Sequence, residues 1–185
     1  MNRQTVKLSK FLSYVLRHHP DAIGLELDEG GWVSVDELLA AWRRHKHPIS
    51  REELEEVVAT NDKKRFSLSP DRRRIRANQG HSVPVDLGLA PLEPPELLYH
   101  GTVQRVLDSI RRQGLLRGQR HHVHLSGDPE TARRVGRRRG RPVVLVVEAG
   151  RMHREGAKFY RSANRVWLTE SVPPEYLRFP DEAPK

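Results

Sequence analysis

Apolar residues near the N-terminus recur at the spacing of one helix face. Positions i, i+3, i+4 and i+7 are occupied by Leu8, Phe11, Leu12 and Val15. Because side chains at this spacing lie on one side of an α-helix, the pattern predicts an amphipathic helix over residues 5–18. Pro20 cannot continue that helix, so Arg17 and His18 fall in its last turn.

The next segment predicts two further helices and a hairpin. The spacing of a capping box joins Ser34 to Glu37 and Ser50 to Glu53. These boxes predict helices over residues 35–44 and 51–60. Two short strands are predicted at residues 65–69 and 73–77, around the turn Pro70–Asp71. Helices followed by a hairpin are typical of a winged-helix arrangement.

Gly, Pro and isolated apolar residues dominate residues 78–96, which argues against regular structure there. We therefore predict an N-terminal lobe over residues 1–80, a linker over residues 81–96 and a C-terminal lobe over residues 97–185.

The sequence pattern predicts a mixed α/β structure for the C-terminal lobe. Apolar runs predict strands at residues 97–101, 123–126, 142–148 and 165–169. A helix is predicted over residues 103–113, ended by Gly114. A second is predicted over residues 129–138, with Asp128 as N-cap and Pro129 in the first turn.

Composition narrows the function. The chain has 185 residues, of which 36% are hydrophobic, and its 33 Lys and Arg against 24 Asp and Glu leave a net charge of +9. Most of the cations are Arg, whose planar donors fit phosphate oxygens, so a polyanionic partner is favoured. The absence of cysteine excludes disulfides, thiolate metal sites and Cys nucleophiles. No signal core or apolar run of membrane-spanning length occurs, so we expect a soluble, cytoplasmic protein. No large uncovered apolar face is obvious, so we also expect a monomer.

Several polar segments are candidates for chemistry, each with a plainer alternative. Arg17 and His18 at a helix C-terminus could meet a phosphate, because the helix dipole favours a protonated imidazole there, or could simply stabilise the helix end. Arg65 could bind an anion or protect a strand edge. The cations of residues 137–141 could contact a nucleic-acid backbone or form a solvated face.

In the C-terminal lobe, residues 99–102 place a glycine where a strand is expected to turn into a helix. Gly101 would let a ligand approach the backbone, while His100 and Thr102 offer hydrogen bonds to ribose hydroxyls. The histidines of residues 121–124 lack an Asp, Glu or Cys at ordinary ligand spacing, so we expect no metal. No Gly-rich dinucleotide fingerprint or phosphate-loop motif occurs.

As an ordered set, these segments resemble the RNA (tRNA) 2'-phosphotransferase family. The matching stretches are residues 7–20, 31–33, 61–66, 75–82, 99–102, 122–126, 164–169 and 172–176. Each stretch is weak alone, but their order is specific and covers nearly the whole chain. Arg165 departs from the expected pattern, which has a smaller or neutral residue between Asn164 and Val166.

The resemblance implies an α+β fold, with a winged-helix lobe followed by an ADP-ribosyltransferase-like lobe that has a split, mostly antiparallel sheet. It also implies NAD as co-substrate and 2'-phosphorylated RNA as partner, with no metal. The family's phosphate-handling tetrad falls on Arg17, His18, Arg65 and Arg120. Its His-His-aliphatic version of the ADP-ribosyltransferase triad falls on His100, His124 and Val166. The expected NAD contacts are His100, Gly101, Thr102, His124 and Ser126.

Two other functions remain open at this point. A non-catalytic winged-helix nucleic-acid-binding protein would explain the charge, but not the ordered histidine motifs. An ADP-ribosyltransferase acting on nucleic-acid phosphate ends would share the NAD site. The sequence does not identify the physiological RNA.

Overall fold

In the computed structural model, helices and short antiparallel sheets form two units, Met1–Gly88 and Leu89–Lys185. The expected α+β character is therefore confirmed. The structure describes residues 3–45, 48–61 and 63–180. Met1 and Asn2 of the polar N-terminus, and Asp62 of the 61–66 stretch, lie outside the described residues.

Within its described residues, the N-terminal unit packs three α-helices against a three-stranded sheet. The helices are α1 Arg3–Arg17, α2 Val35–His45 and α3 Arg51–Ala59. The strands are β1 Trp32–Ser34, β2 Phe66–Leu68 and β3 Arg74–Ala77, in the antiparallel order β1-β3-β2. The buried face of α1 carries Leu12, Val15 and Leu16, as expected of its apolar stripe.

Local signals explain the helix boundaries in this unit. Both halves of the capping box between Ser50 and Glu53 are formed, so α3 begins where predicted. At α2, the Glu37 amide donates to Ser34 Oγ at 3.4 Å. Strand β1 was not predicted: it has only three residues, and Val33 is buried through its pairing with Ile75 of β3.

As far as residue 180, the C-terminal unit contains short helices and three small antiparallel sheets. The helices are α4 Leu107–Gln113, α5 Pro129–Gly136 and α6 Ala149–Arg154. The strands are β4 Leu98–Val103, β5 Leu115–Leu116, β6 Val123–Leu125, β7 Pro142–Val147, β8 Phe159–Arg161, β9 Trp167–Thr169, β10 Ser171–Val172 and β11 Leu177–Arg178. The sheet orders are β11-β7-β4, β6-β9-β8 and β10-β5. An isolated bridge between Tyr99 and Ser126 connects β4 with the end of β6.

Several predicted boundaries are wrong. Strand β4 does not end at Gly101; it continues to Val103, because Thr102 and Val103 pair with the start of β7. A 3-10 turn follows at Gln104–Val106, and the α-helix begins only at Leu107. Residues 100–102 therefore lie within a strand and not at a strand-to-helix turn.

Strand β9 begins at Trp167 and not at Arg165. The preceding residues form a tight turn, in which the Ser162 amide donates to the Val166 carbonyl at 2.9 Å. Arg165 has a φ of 62° in this turn. That left-handed conformation favours a residue without a β-carbon, which gives a physical reason to expect a smaller residue there.

No helix in the described ranges has the length and apolar character needed to cross a membrane.

Candidate functional site

Ser82 holds the C-terminal end of α1 in the N-terminal unit. Its amide donates to the Arg17 carbonyl at 2.9 Å, and its hydroxyl lies 2.9 Å from His18 Nδ1. The first contact occupies one of the carbonyls that a helix end cannot pair internally, and the second orients the imidazole. Ser82 lies in one of the matching stretches, but sequence reasoning did not select it, because a loop serine carries no local signal of its partner.

Arg65 is anchored on the same helix. Its Nη1 lies 3.4 Å from Ser9 Oγ, which also accepts a hydrogen bond from Asn61 Nδ2 at 2.7 Å. Ser9 is buried, and it lies eight residues before Arg17, which places both on one side of α1. The guanidinium of Arg65 is thus held against the helix that carries Arg17.

One short segment connects these residues. The backbone amide of Asn78 donates a hydrogen bond to the Arg65 carbonyl at 2.8 Å, and the backbone amide of Ser82 donates one to the Arg17 carbonyl. Four residues span at most about 14 Å. The structure therefore brings the ends of β2 and α1, with Arg65, Arg17 and His18, to one side of the N-terminal unit.

Asn78 also fixes the turn before β2. Its Nδ2 donates to the Lys64 carbonyl at 2.6 Å, and Lys64 has a φ of 41°. A lysine adopts this left-handed conformation only when its surroundings impose it. Lys63 and Lys64 are exposed in this turn, and the strand begins at Phe66, one residue later than predicted.

In the C-terminal unit, His100 on β4 contacts β6. Its Nδ1 lies 3.1 Å from the His124 carbonyl oxygen, so Nδ1 carries the proton and donates. Burial lowers the pKa of His100 below its ordinary value, and Arg139 lowers it further, while the bond to the carbonyl raises it. His100 is therefore a neutral imidazole at neutral pH, with Nε2 as its acceptor atom.

His124 adopts the opposite tautomer. Arg120 Nη1 donates to His124 Nδ1 at 3.0 Å, and a guanidinium has no acceptor, so Nδ1 of a neutral His124 is unprotonated and Nε2 carries the proton. The two histidines thus present one acceptor and one donor nitrogen. This difference depends on Arg120, which was predicted to bind the phosphate and was not predicted to contact a histidine.

Arg120 lies in a cationic environment. Its pKa is lowered first by burial and then by the charges of Arg139 and Arg138. Arg137–Arg139 form a 3-10 turn after α5, and all three are exposed. The basic run singled out in the sequence therefore lies near Arg120 and His100, where its positive potential attracts anions.

Gly101 has a packing role. A β-carbon at this position would lie 1.7 Å from the Ala132 carbonyl oxygen of α5, so only glycine permits the close approach of α5 to β4. Thr102 is buried on the same strand.

Backbone hydrogen bonds position the other two predicted residues of this unit. The amide of Val166 donates to Ser162 Oγ at 3.1 Å. Ser126 exchanges backbone hydrogen bonds with Tyr99 of β4. Strand β4 thus sets the positions of His100 and, through Tyr99, of Ser126.

Within residues 3–45, 48–61 and 63–180, no group of three or more His, Cys, Asp or Glu side chains is arranged to hold a metal ion.

Comparison with known proteins identifies the class. The sequence model of the family described as "RNA 2'-phosphotransferase, Tpt1 / KptA family" matches residues 3–171. A Streptomyces griseus protein named "Probable RNA 2'-phosphotransferase" is 60% identical over 182 residues, which cover 95% of this chain and 96% of that protein. Proteins of the same name from Acaryochloris marina and Hahella chejuensis are 55% and 52% identical, over 96% and 100% of this chain and 98% and 100% of theirs.

The chain belongs to the RNA 2'-phosphotransferase, Tpt1 / KptA family. It is thus an enzyme of the phosphotransferase class, and its family is named for the removal of a 2'-phosphate from RNA.

Proposed function

We propose that this enzyme removes an internal RNA 2'-phosphate by transferring it to NAD. The RNA phosphate attacks the nicotinamide ribose carbon and displaces nicotinamide, which gives an RNA-2'-phospho-ADP-ribose intermediate. The ribose 2''-hydroxyl then attacks phosphorus and expels the RNA 2'-oxygen. The products are 2'-OH RNA, nicotinamide and ADP-ribose 1'',2''-cyclic phosphate.

The chain of contacts from Arg120 through His124 to His100 carries this proposal. It places a cation beside two histidines whose ring nitrogens have complementary hydrogen-bonding character. A neutral His100 suits a ribose hydroxyl better than an imidazolium does, because its Nε2 can accept a hydrogen bond. We assign His100, Gly101, Thr102, His124 and Ser126 to NAD, with Gly101 acting through its backbone.

The first step needs positioning more than a base. A phosphomonoester has a second pKa of about 6, so its dianion is already a competent nucleophile at neutral pH. Val166 is apolar and stands at the position where related folds carry a glutamate. The lack of a base there is consistent with this chemistry, and it disfavours simple protein ADP-ribosylation as the function.

The second step needs charge stabilisation. Negative charge builds on the equatorial phosphate oxygens and on the leaving oxygen. We assign its stabilisation to Arg17, His18, Arg65 and Arg120, of which His18 is the member that can exchange a proton near neutral pH. Ser82 and Ser9, which contact His18 and Arg65, support this assignment as positioning residues.

We further propose that the two units correspond to a winged-helix lobe, residues 1–80, and an ADP-ribosyltransferase-like lobe, residues 97–185, joined by residues 81–96. The three helices and antiparallel hairpin of the first unit, and the small antiparallel sheets of the second, support these assignments. No helix or strand occurs in residues 78–97.

A thin-layer assay with 2'-phosphorylated RNA and labelled NAD tests the function. A phosphotransferase releases the labelled cyclic phosphate, whereas an ADP-ribosyltransferase leaves the label on RNA and a non-catalytic binding protein leaves NAD intact. Either of the last two outcomes with the wild-type protein would contradict the proposal.

A further inference from the structure

A cavity of about 570 Å³ opens in the C-terminal unit beside β8 and β9. The lining residues that bear on its chemistry are Arg117, His122, Glu155, Lys158, Tyr160 and Glu170. None of them belongs to the proposed NAD or phosphate residues. The volume falls within the range of small-ligand sites.

One wall of the cavity is aromatic. The rings of His122 and Tyr160 lie 5.5 Å apart, with an angle of 57° between their planes. Burial lowers the pKa of His122, as do His121 and Arg117, while Glu170 raises it, so the ring is neutral at neutral pH. A neutral aromatic pair offers a stacking surface for a nucleobase, and such stacking tolerates any base.

The charged residues around this wall are balanced in sign. Arg117 and Lys158 are exposed cations, and Glu170 is an exposed carboxylate. Glu155 is already engaged by Arg151 and by the Tyr176 hydroxyl. Two cations suit one phosphate group, and the carboxylate of Glu170 suits ribose hydroxyls or a base amino group, which donate hydrogen bonds. A bare polyanion would be repelled by the two carboxylates.

The cavity adjoins the proposed phosphate residue. The Arg120 amide donates to the Arg117 carbonyl at 3.2 Å, so both arginines belong to one turn. His122 directly precedes β6, the strand that carries His124. A substrate whose phosphate contacts Arg120 could extend directly to Arg117.

We propose that this cavity binds one nucleoside monophosphate unit, with the base against His122 and Tyr160 and the phosphate at Arg117 and Lys158. The unit is the RNA nucleotide next to the one that carries the 2'-phosphate. This source rests on the proposed function; the same chemistry is also offered by the AMP half of NAD, and the experiment below separates the two.

Adenosine 5'-monophosphate is titrated into the full-length protein while the NMR signals of the His122 ring are followed. The variant Arg117→Ala/Lys158→Ala removes the phosphate contacts, and Tyr160→Leu removes the stacking ring. The matched control is Arg105→Ala/Arg112→Ala, which removes two exposed cations outside the cavity.

The nucleotide should shift the His122 signals. The Arg117/Lys158 variant should lower its affinity about 10-fold or more, since charge-assisted hydrogen bonds are the strong ones. Tyr160→Leu should lower the affinity for the nucleotide and for adenosine about 5-fold or more, and the control should change neither. Unshifted His122 signals, equal shifts with inorganic phosphate alone, or unchanged affinity in both variants would overturn the proposal.

Equilibrium binding of a 2'-phosphorylated trinucleotide and of NAD, measured separately, identifies the source. The Arg117/Lys158 variant should bind the trinucleotide about 10-fold more weakly and NAD as the wild type does. The reverse pattern would overturn the RNA assignment. Neither measurement requires turnover, so a wild-type protein that binds the nucleotide but forms no cyclic phosphate would contradict the proposed function alone.

Discussion

Arg120 donates a hydrogen bond to His124 Nδ1 at 3.0 Å, which couples a residue assigned to the RNA phosphate with a residue assigned to NAD. The bond fixes the tautomer of a neutral His124 and holds one end of the guanidinium. The remaining donors of Arg120 can then meet the phosphate without losing their orientation.

Replacing Arg120 with alanine should slow the second step more than the first. The cation is needed most where charge builds on phosphorus, and loss of such a donor costs about 10²–10³ in rate. Mass spectrometry of the RNA should then show an accumulated RNA-2'-phospho-ADP-ribose adduct. His18→Ala should show the same pattern, whereas replacing Arg105, an exposed arginine of the 3-10 turn Gln104–Val106, with alanine should leave product formation unchanged. Normal product formation by Arg120→Ala, with no adduct, would contradict the assignment.

Ser82→Ala should weaken catalysis without removing a group that touches the substrate. The His18 ring loses the Ser82 hydroxyl at Nδ1, which costs about 0.5–1.5 kcal/mol, or roughly 2- to 13-fold in the rate of the second step. The pH profile of that step should change, because the hydrogen bond at Nδ1 affects His18 protonation. Ser82→Thr keeps the hydroxyl and should restore both the rate and the pH profile of the second step. If the threonine variant behaves like the alanine variant, Ser82 does not act through this bond.

Acid should destabilise the protein through His100. Its pKa is lowered in the folded state, first by burial, whereas the unfolded chain takes up this proton near the ordinary value of about 6.5. As pH falls through that value, the unfolded state binds more protons, so the free energy of unfolding decreases. Urea denaturation at about pH 7.5 and about pH 5.5 should show a smaller decrease in His100→Gln than in the wild type. His122 should supply part of the remaining dependence. An equal decrease in both proteins would argue against a partly buried, neutral His100.

Gly101→Ala should destabilise the C-terminal unit. The added methyl would overlap the Ala132 carbonyl of α5, and relieving that overlap should cost about 3 kcal/mol or more. Gly127→Ala is the matched control, because nothing lies within 4 Å of its β-carbon position, and its effect should stay within about 0.5 kcal/mol. Chemical denaturation measures both. A stable Gly101→Ala protein with lost NAD binding would instead indicate that the glycine serves the ligand.

Features with local causes could be predicted from the sequence. The apolar stripe of α1 and the capping box at Ser50 are read within a few residues, and the structure confirms both. Asp128 caps α5 as predicted, by accepting a hydrogen bond from the Thr131 amide at 2.7 Å. Gly114 ends α4 with a φ of 74°. In each case the residue that determines the structure lies beside the structure it determines.

Features that depend on residues distant in the sequence could not be predicted in this way. The extension of β4 to Val103 depends on pairing with β7, and Arg165 enters its unusual conformation because residues 162–166 close a turn. Ser82 becomes informative only once its contacts with Arg17 and His18 are seen. The order of the motifs indicated the family, whereas the two histidine tautomers required the geometry.

The fate of the phosphate oxygens tests the central claim most directly. An RNA whose 2'-phosphate carries ¹⁸O at its three non-bridging oxygens is incubated with the enzyme and NAD, and the small products are analysed by mass spectrometry. Of the bonds to phosphorus, the proposed reaction breaks only the one to the RNA 2'-oxygen, so all three labels should appear in ADP-ribose 1'',2''-cyclic phosphate. The bond between nicotinamide and the ribose carbon also breaks, so one nicotinamide should be released per RNA. Labelled inorganic phosphate formed without NAD would contradict the account.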